Sequence, residues 1–252
     1  MGWQMVAMLL GVAGGAVLLG AGVILTKKYQ RINREHQIRY GVLPKGLFDR
    51  LRKHHPQLSD KDCQLVAQGL RQFFMAHLKS GRQFVAMPSQ VVDDLWHEFI
   101  LYTKNYDEYC KRAFGQFLHH TPAVVMSTAQ SQNTALRRCW YFCCKEENIN
   151  PAKATRLPLL FALDAKLGIS NGFHYVPNCD SVRRSDDGSY DAYCAAEIAV
   201  NCGGGVSFSD FESESRSHSS DAFFSSDSSS DSGGSDCSGG SCGGGGCGGG
   251  GD

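Results

Sequence analysis

The sequence has no alternating run that reads as a convincing strand, no charged side chain before Lys27, no Cys-x2-Cys knuckle and no glycine-rich loop between a strand and a helix. The first absence excludes a sheet-built fold, because a half-buried strand carries an apolar period of two. The last two remove the zinc-knuckle and phosphate-loop readings. A zincin reading fails as well. Residues 97–101 are HEFIL, and Leu101 stands where the H-E-x-x-H helix needs its second histidine. The basic stretch belongs to no nucleic-acid module, so no nucleic-acid partner is expected.

Net charge is also lacking, but its absence is misleading. Lys27 to Lys53 holds nine Lys/Arg against Glu35 and Asp49, a balance of +7, whereas Asn201 to Asp252 holds eight Asp/Glu against Arg216, a balance of −7.

What the chain does have begins with an uncharged run of 21 residues, Met5 to Leu25. At 1.5 Å per residue it is long enough for a hydrocarbon core of about 30 Å, so it reads as a single-pass transmembrane helix. No positive charge precedes it, unlike a signal peptide. Lys27, Lys28, Arg31 and Arg34 follow it, which places the rest of the chain in the cytoplasm and makes them candidates for anionic lipid. The eleven cysteines are then expected to be reduced. Gly11 and Gly15 form a G-x-x-x-G pair, a candidate homodimer face.

From Lys45 to about Gly168 the apolar period is helical. Lys45 to His54 forms a short basic helix, and Pro56 separates it from the next, which opens on Ser59-x-x-Asp62, a capping box. Val66, Leu70, Phe73, Phe74 and His77 share one face, and Gly81 closes the helix. Pro88-Ser89 starts another with Val92, Leu95, Trp96, Phe99 and Tyr102 inward, and Asn105 is the expected cap of the next. Leu136, Cys139, Trp140 and Cys143 mark a further helix, and Thr155 to Leu167 a last one.

The expected fold class is therefore all-α: a transmembrane anchor over 1–26, a basic juxtamembrane linker over 27–44, a five- to six-helix domain over 45–170, and a disordered Ser/Asp/Gly/Cys-rich tail over 171–252. The tail has too few large apolar residues to offset the entropy of ordering. It ends in a low-complexity repeat that spaces Cys237, Cys242 and Cys247 five residues apart.

Chemistry concentrates in Val91 to Pro122. On a helix Asp93 and His97 lie one turn apart beside Trp96, so the carboxylate can orient the imidazole, as around metal-binding histidines, or form a buried structural hydrogen bond. Leu101 continues that stripe, so this side is expected to be covered. His119 and His120 lie in a following loop that can fold back, with Cys110 between. His97, His120, Asp93 and Cys110 make a candidate metal set suited to zinc, which takes N, S and O ligands. His174, Cys179, Cys194 and Cys202 are spaced as a chance assembly of loop residues.

Asp93-Asp94-Leu95-Trp96-His97, Tyr106-Asp107-Glu108-Tyr109-Cys110 and His120-Thr121-Pro122 resemble the D-x-x-W-H, Y-x-x-[FY]-C and H-x-P pattern of the glycine-rich domain protein family. The resemblance covers roughly Phe84 to Pro122, with the glycine-rich end as looser support. Many members read W-H-x-H, and here Phe99 replaces the second His. The resemblance brings no defined activity. The function expected is a membrane-anchored interaction or scaffold protein with an unknown protein partner; the alternative is a metal-dependent hydrolase or metal-binding protein using Asp93, His97 and His120.

Overall fold

The computed structural model describes residues 2–120, 129–177, 193–194, 198 and 207–217, with side chains from Gly20 on except those of 129–130 and 214–217. In order the elements are α1 (Gly2–Tyr40), α2 (Leu47–His54), α3 (Asp60–Lys79), α4 (Gln90–Ile100), α5 (Thr103–Phe114), α6 (Ala129–Glu146), α7 (Leu159–Leu167), β1 (Tyr175–Val176), β2 (Tyr193–Cys194) and α8 (Phe208–Ser217). The two strands pair in parallel.

Helix α3 is the axis of the fold, packing against α1, α2, α4, α6 and α7. Its burial on several sides follows from Cys63, Val66, Ala67, Leu70, Phe73, Phe74 and Met75, which spread the apolar surface beyond one stripe. Gly69 is where this crowding is tightest: a Cβ there would stand 2.3 Å from Leu163 Cδ1 and 3.0 Å from Val92 Cγ2. The capping box forms as expected, with Ser59 N donating to Asp62 Oδ2 at 3.0 Å and Asp62 N to Ser59 Oγ at 3.2 Å.

Around Phe74 the aromatic side chains meet edge to face, Trp96 at 6.0 Å and Phe114 at 5.6 Å between centroids. Phe99 meets Tyr106 in the same way at 5.1 Å. Such pairs add about 0.5–1.5 kcal/mol beyond their buried area, and they join α3, α4 and α5 into one core.

Several expectations are corrected. Among the described residues no helix is long and apolar enough to cross a membrane, so the single-pass anchor over Met5 to Leu25 does not stand. Helix α1 instead runs without a break to Tyr40, and its described part carries Lys27, Lys28, Arg31, Arg34 and Arg39. The cytoplasmic placement rested on that anchor and goes with it. Arg31 and Arg34, among the cations expected to face lipid, are engaged within the chain. Arg31 pairs with Glu35 at 3.2 Å, and Arg34 lies against Gly115, where a Cβ would stand 2.6 Å from its Nη2. Burial, and then repulsion from Arg82, lower the Arg34 pKa.

The strand pair β1/β2 and helix α8 lie in the stretch expected to be disordered. Helix α8 is held by its aromatics: Phe211 is buried, Phe208 stacks on Tyr141 at 5.5 Å, and Arg137 and Arg138 lie over the two phenylalanine rings. Asn105 does not cap α5, which begins at Thr103 with Tyr102 as its N-cap residue. Cys194 is disulfide-bonded, against the expectation of reduced thiols, whereas Cys63, Cys110, Cys139, Cys143 and Cys144 are free and buried. Cys179, Cys202, Cys237, Cys242, Cys247 and Pro122 lie outside the described residues, as do the side-chain surroundings of Gly11 and Gly15.

Candidate metal centre

The site is built on the first turns of α4, and these are fixed from outside the helix. Ser89 Oγ caps Val92 N at 3.4 Å. Beneath it lies Asp164 of α7, a buried carboxylate that accepts four hydrogen bonds. Its Oδ1 takes Ser89 Oγ at 2.7 Å and Val91 N at 3.2 Å, and its Oδ2 takes Gln90 N at 2.7 Å and Phe173 N at 2.9 Å. The first N–H groups of a helix have no partner within it, and a carboxylate there also meets the positive end of the helix dipole. Asp164 therefore locks the rotation of α4 about its axis, and with it the direction of every side chain on the helix.

The two edges of α4 have different fates. Asp94 and Glu98 turn toward α2: His55 Nε2 meets Asp94 Oδ2 at 2.7 Å and His54 Nε2 meets Glu98 Oε1 at 2.9 Å, with Arg50 also on Glu98. Burial works to raise the Glu98 pKa, but the hydrogen bonds from Arg50 and His54 outweigh it and leave it lowered. Asp93 and His97 turn the other way, toward the segment that follows α5.

That segment is tied down by a short polar chain. Gly115, at φ 79°, ends α5 in the left-handed conformation that glycine adopts without strain. Trp96 Nε1 donates to Tyr106 Oη at 3.0 Å, and Tyr106 Oη donates to the Leu118 carbonyl at 2.6 Å. The Cys110 thiol interacts with the Leu118 backbone and the same hydroxyl, and burial raises its pKa. Two residues after Leu118, His120 lands with its ring 4.6 Å from Trp96 and 4.2 Å from His97.

Asp93 lies between the two imidazoles. His120 Nε2 is 2.9 Å from Asp93 Oδ1, and His97 Nδ1 is 3.4 Å from Asp93 Oδ2. The three residues can offer one ligand atom each, all within 4.8 Å of one another. Tetrahedral zinc at about 2.0–2.1 Å from nitrogen or oxygen needs ligand atoms about 3.3 Å apart, so a set lying within 4.8 Å has only to draw together to form a coordination shell. The set is open on one side, because the His97 side chain is 52% exposed while those of Asp93 and His120 are 22% and 17% exposed.

Of the four expected ligands the structure brings together Asp93, His97 and His120, and leaves Cys110 apart. Cys110 is wholly buried beneath the loop, and a raised pKa keeps it a thiol, whereas a metal ligand must be a thiolate. His119 is exposed against Phe117, at 4.8 Å between rings, and joins no ligand group among the described residues. The covering expected from Leu101 is absent: α4 stops at Ile100, and Leu101 is 61% exposed. The sequence reading missed the supporting residues Asp164, Tyr106 and His55. Asp164 had a visible signal, as the lone carboxylate in the run LLFALDAKL, whose only other charge is Lys166. Tyr106 stood in the Tyr106-x-x-Tyr109-Cys110 pattern, but its ring also fits an ordinary core stripe, so its supporting role was not visible.

The chain belongs to the UCP032817-like family, whose match covers residues 33–198, about two thirds of its length. This corrects the resemblance to the glycine-rich domain family. The matched residues hold all three members of the ligand group, and the glycine-rich end that supported the earlier resemblance lies outside them. No curated protein and no solved structure matches the chain.

Proposed function

We propose that this member of the UCP032817-like family binds a divalent transition-metal ion, zinc in the first instance, through Asp93, His97 and His120, with water in the remaining position. The observation that carries the proposal is the convergence of three ligand atoms within 4.8 Å, drawn from two elements 23 residues apart in sequence at His97 and His120. Two imidazoles and one carboxylate with an open face match catalytic rather than closed structural zinc sites, which surround the ion with four protein ligands. An ion held by Asp93, His97 and His120 would supply acidification of a water toward neutrality, the chemistry used in metal-assisted hydrolysis. Without an ion Asp93 hydrogen-bonds to His120 and lies 3.4 Å from His97, contacts that hold the loop on α4, so metal binding replaces one set of contacts with another.

The test is zinc titration of the chelator-treated chain by calorimetry, with cobalt substitution to read tetrahedral geometry in the visible spectrum. One ion per chain is expected, lost in Asp93→Ala and His120→Ala and kept in Cys110→Ala. Equal zinc uptake by the wild type and by the combined Asp93→Ala/His97→Ala/His120→Ala chain would refute it.

A role in protein interaction has one observation in its favour. On α1, Val23, Ile24, Leu25, Tyr29 and Ile32 are each more than half exposed. Analytical ultracentrifugation tests it, and a chain that stays monomeric while leaving these residues open to surface labelling would favour the metal reading alone.

A further inference from the structure

A second site lies on a different face, where the end of α1, the connection 41–46, the start of α2 and the side of α3 border an open cavity of about 680 Å³. Its size is within the range of about 300–1,000 Å³ usual for small-molecule sites. The rim is cationic: Arg39, Lys45, Arg52 and Arg71 border it against the single carboxylate of Asp49.

The pairing of these charges decides what the cavity can hold. Arg52 is neutralised by Asp49 and Asp60, and Arg39 shares Glu146 with Lys79. Among the described residues Arg71 meets no carboxylate; its guanidinium donates to the carbonyls of Arg39 at 2.9 Å and Gly41 at 2.8 Å. Its charge therefore stays uncompensated while it holds the connection in shape. Lys45 is held only through its carbonyl, which accepts from Tyr102 Oη at 3.3 Å, and its ammonium enters no ion pair among the described residues. Two positive charges thus stand over one cavity.

Backbone donors lie beside them. Helix α2 opens on Gly46 with no side-chain cap; Leu47 N bonds to Pro44 O and Arg50 N to Gly46 O, while the N–H groups of Phe48 and Asp49 have no partner among the described residues. The remaining wall is mixed, apolar at Val42, Leu43 and Phe48 and polar at Gln64 and Gln68.

We propose that this cavity binds an organic phosphate monoester, its phosphate at Lys45 and the Phe48 and Asp49 N–H groups and its apolar body against Val42, Leu43 and Phe48. A phosphate monoester carries about −1.5 to −2 at neutral pH with three acceptor oxygens, which matches two uncompensated cations, whereas a carboxylate supplies a single charge. Lysine serves phosphate as a point charge that needs no planar partner. The site is independent of the metal centre.

The test titrates the metal-free full chain with phenyl phosphate, inorganic phosphate and benzoate, read by calorimetry and by amide shifts. Phenyl phosphate should bind more tightly than either other probe and move the Phe48 and Asp49 amides. Lys45→Glu, an exposed change that leaves the Arg71 contacts in place, should weaken it by about tenfold or more, as loss of one charge-assisted hydrogen bond requires. His97→Ala should leave the affinity unchanged, which separates this site from the metal centre. Benzoate binding as tightly as phenyl phosphate, unmoved amides at Phe48 and Asp49, wild-type affinity in Lys45→Glu, or lost affinity in His97→Ala would each overturn the proposal.

Discussion

Replacing Asp164 with Asn changes the shape of the buried side chain very little and reverses the polarity of one of its two arms. With the amide nitrogen at the Oδ2 position, it would face the N–H groups of Gln90 and Phe173, now 2.7 and 2.9 Å away, donor against donor. Turned over, it meets Ser89 Oγ, whose hydroxyl can rotate to accept, and the Val91 N–H, which cannot. The second orientation is the cheaper. It leaves one buried donor unsatisfied and weakens the bonds that were made to a charge, a cost of about 2–4 kcal/mol. Asp164→Ala abandons all four donors and should cost at least about 4 kcal/mol. Against a total stability of about 5–15 kcal/mol for a domain, either loss is large. Urea unfolding followed by tryptophan fluorescence reads it directly, because Trp96 and Trp140 are both buried in the core. The effect should also reach the metal centre. Asp93 N donates to Ser89 O at 3.0 Å, so fraying of the first turn of α4 takes the Asp93 side chain with it, and zinc affinity should fall together with stability. Glu108→Gln, on an exposed face of α5, is the control. A stability of Asp164→Asn within about 0.5 kcal/mol of the wild type would refute the assignment of Asp164 as the anchor of α4.

Gly69→Ala should destabilise the chain by about 1–3 kcal/mol, since its Cβ would have to displace Leu163 or Val92 in a tightly packed contact. The same urea titration reads it, and an unchanged midpoint would mean that α3 and α7 separate at little cost. His77 gives a pH dependence. Burial holds its pKa down to about 4, with Arg82 adding to the shift and the Gln83 carbonyl opposing it. The unfolded chain takes up that proton near about 6.5, so this stabilising contribution is complete above that pH and is lost as pH falls through the window down to about 4. The loss should approach about 3 kcal/mol. His77→Gln should flatten that part of the stability profile, and a wild-type slope retained by the variant would remove His77 as its cause.

The helical body was legible because its signals are local. Ser59 with Asp62 marks a helix start through contacts within one turn, and Gly81 and Gly168 mark ends through a backbone conformation that few other residues adopt. Pro158 moved the start of α7 to Leu159, four residues past the Thr155 expected from periodicity, because it serves as the N-cap in extended conformation. The N-terminal reading failed for a different reason: it weighed Met5 to Leu25 alone, whereas the helix that forms continues through the cations to Tyr40. Helix α8 was hidden by composition. Ser and Asp dominate its surroundings, and what orders it is Tyr141, Arg137 and Arg138 on α6, more than sixty residues earlier.

The candidate site divides along the same line. Asp93 and His97 share a helix edge by arithmetic, and any reading of α4 pairs them. His120 joins them only because the chain after Gly115 turns back, and the cause of that turn is distributed. It lies in Trp96 donating to Tyr106, in Tyr106 donating to the Leu118 carbonyl, and in Cys110 beneath both. Cys110 was an expected ligand because it is a soft donor in a run rich in histidine. Its place under the loop shows that residue type and proximity in sequence did not separate a ligand from the support that aims one. Burial does separate them: a thiol closed off among aromatic rings is kept protonated, while the imidazole of His97, half in solvent, has room for an ion and for the water that completes its shell.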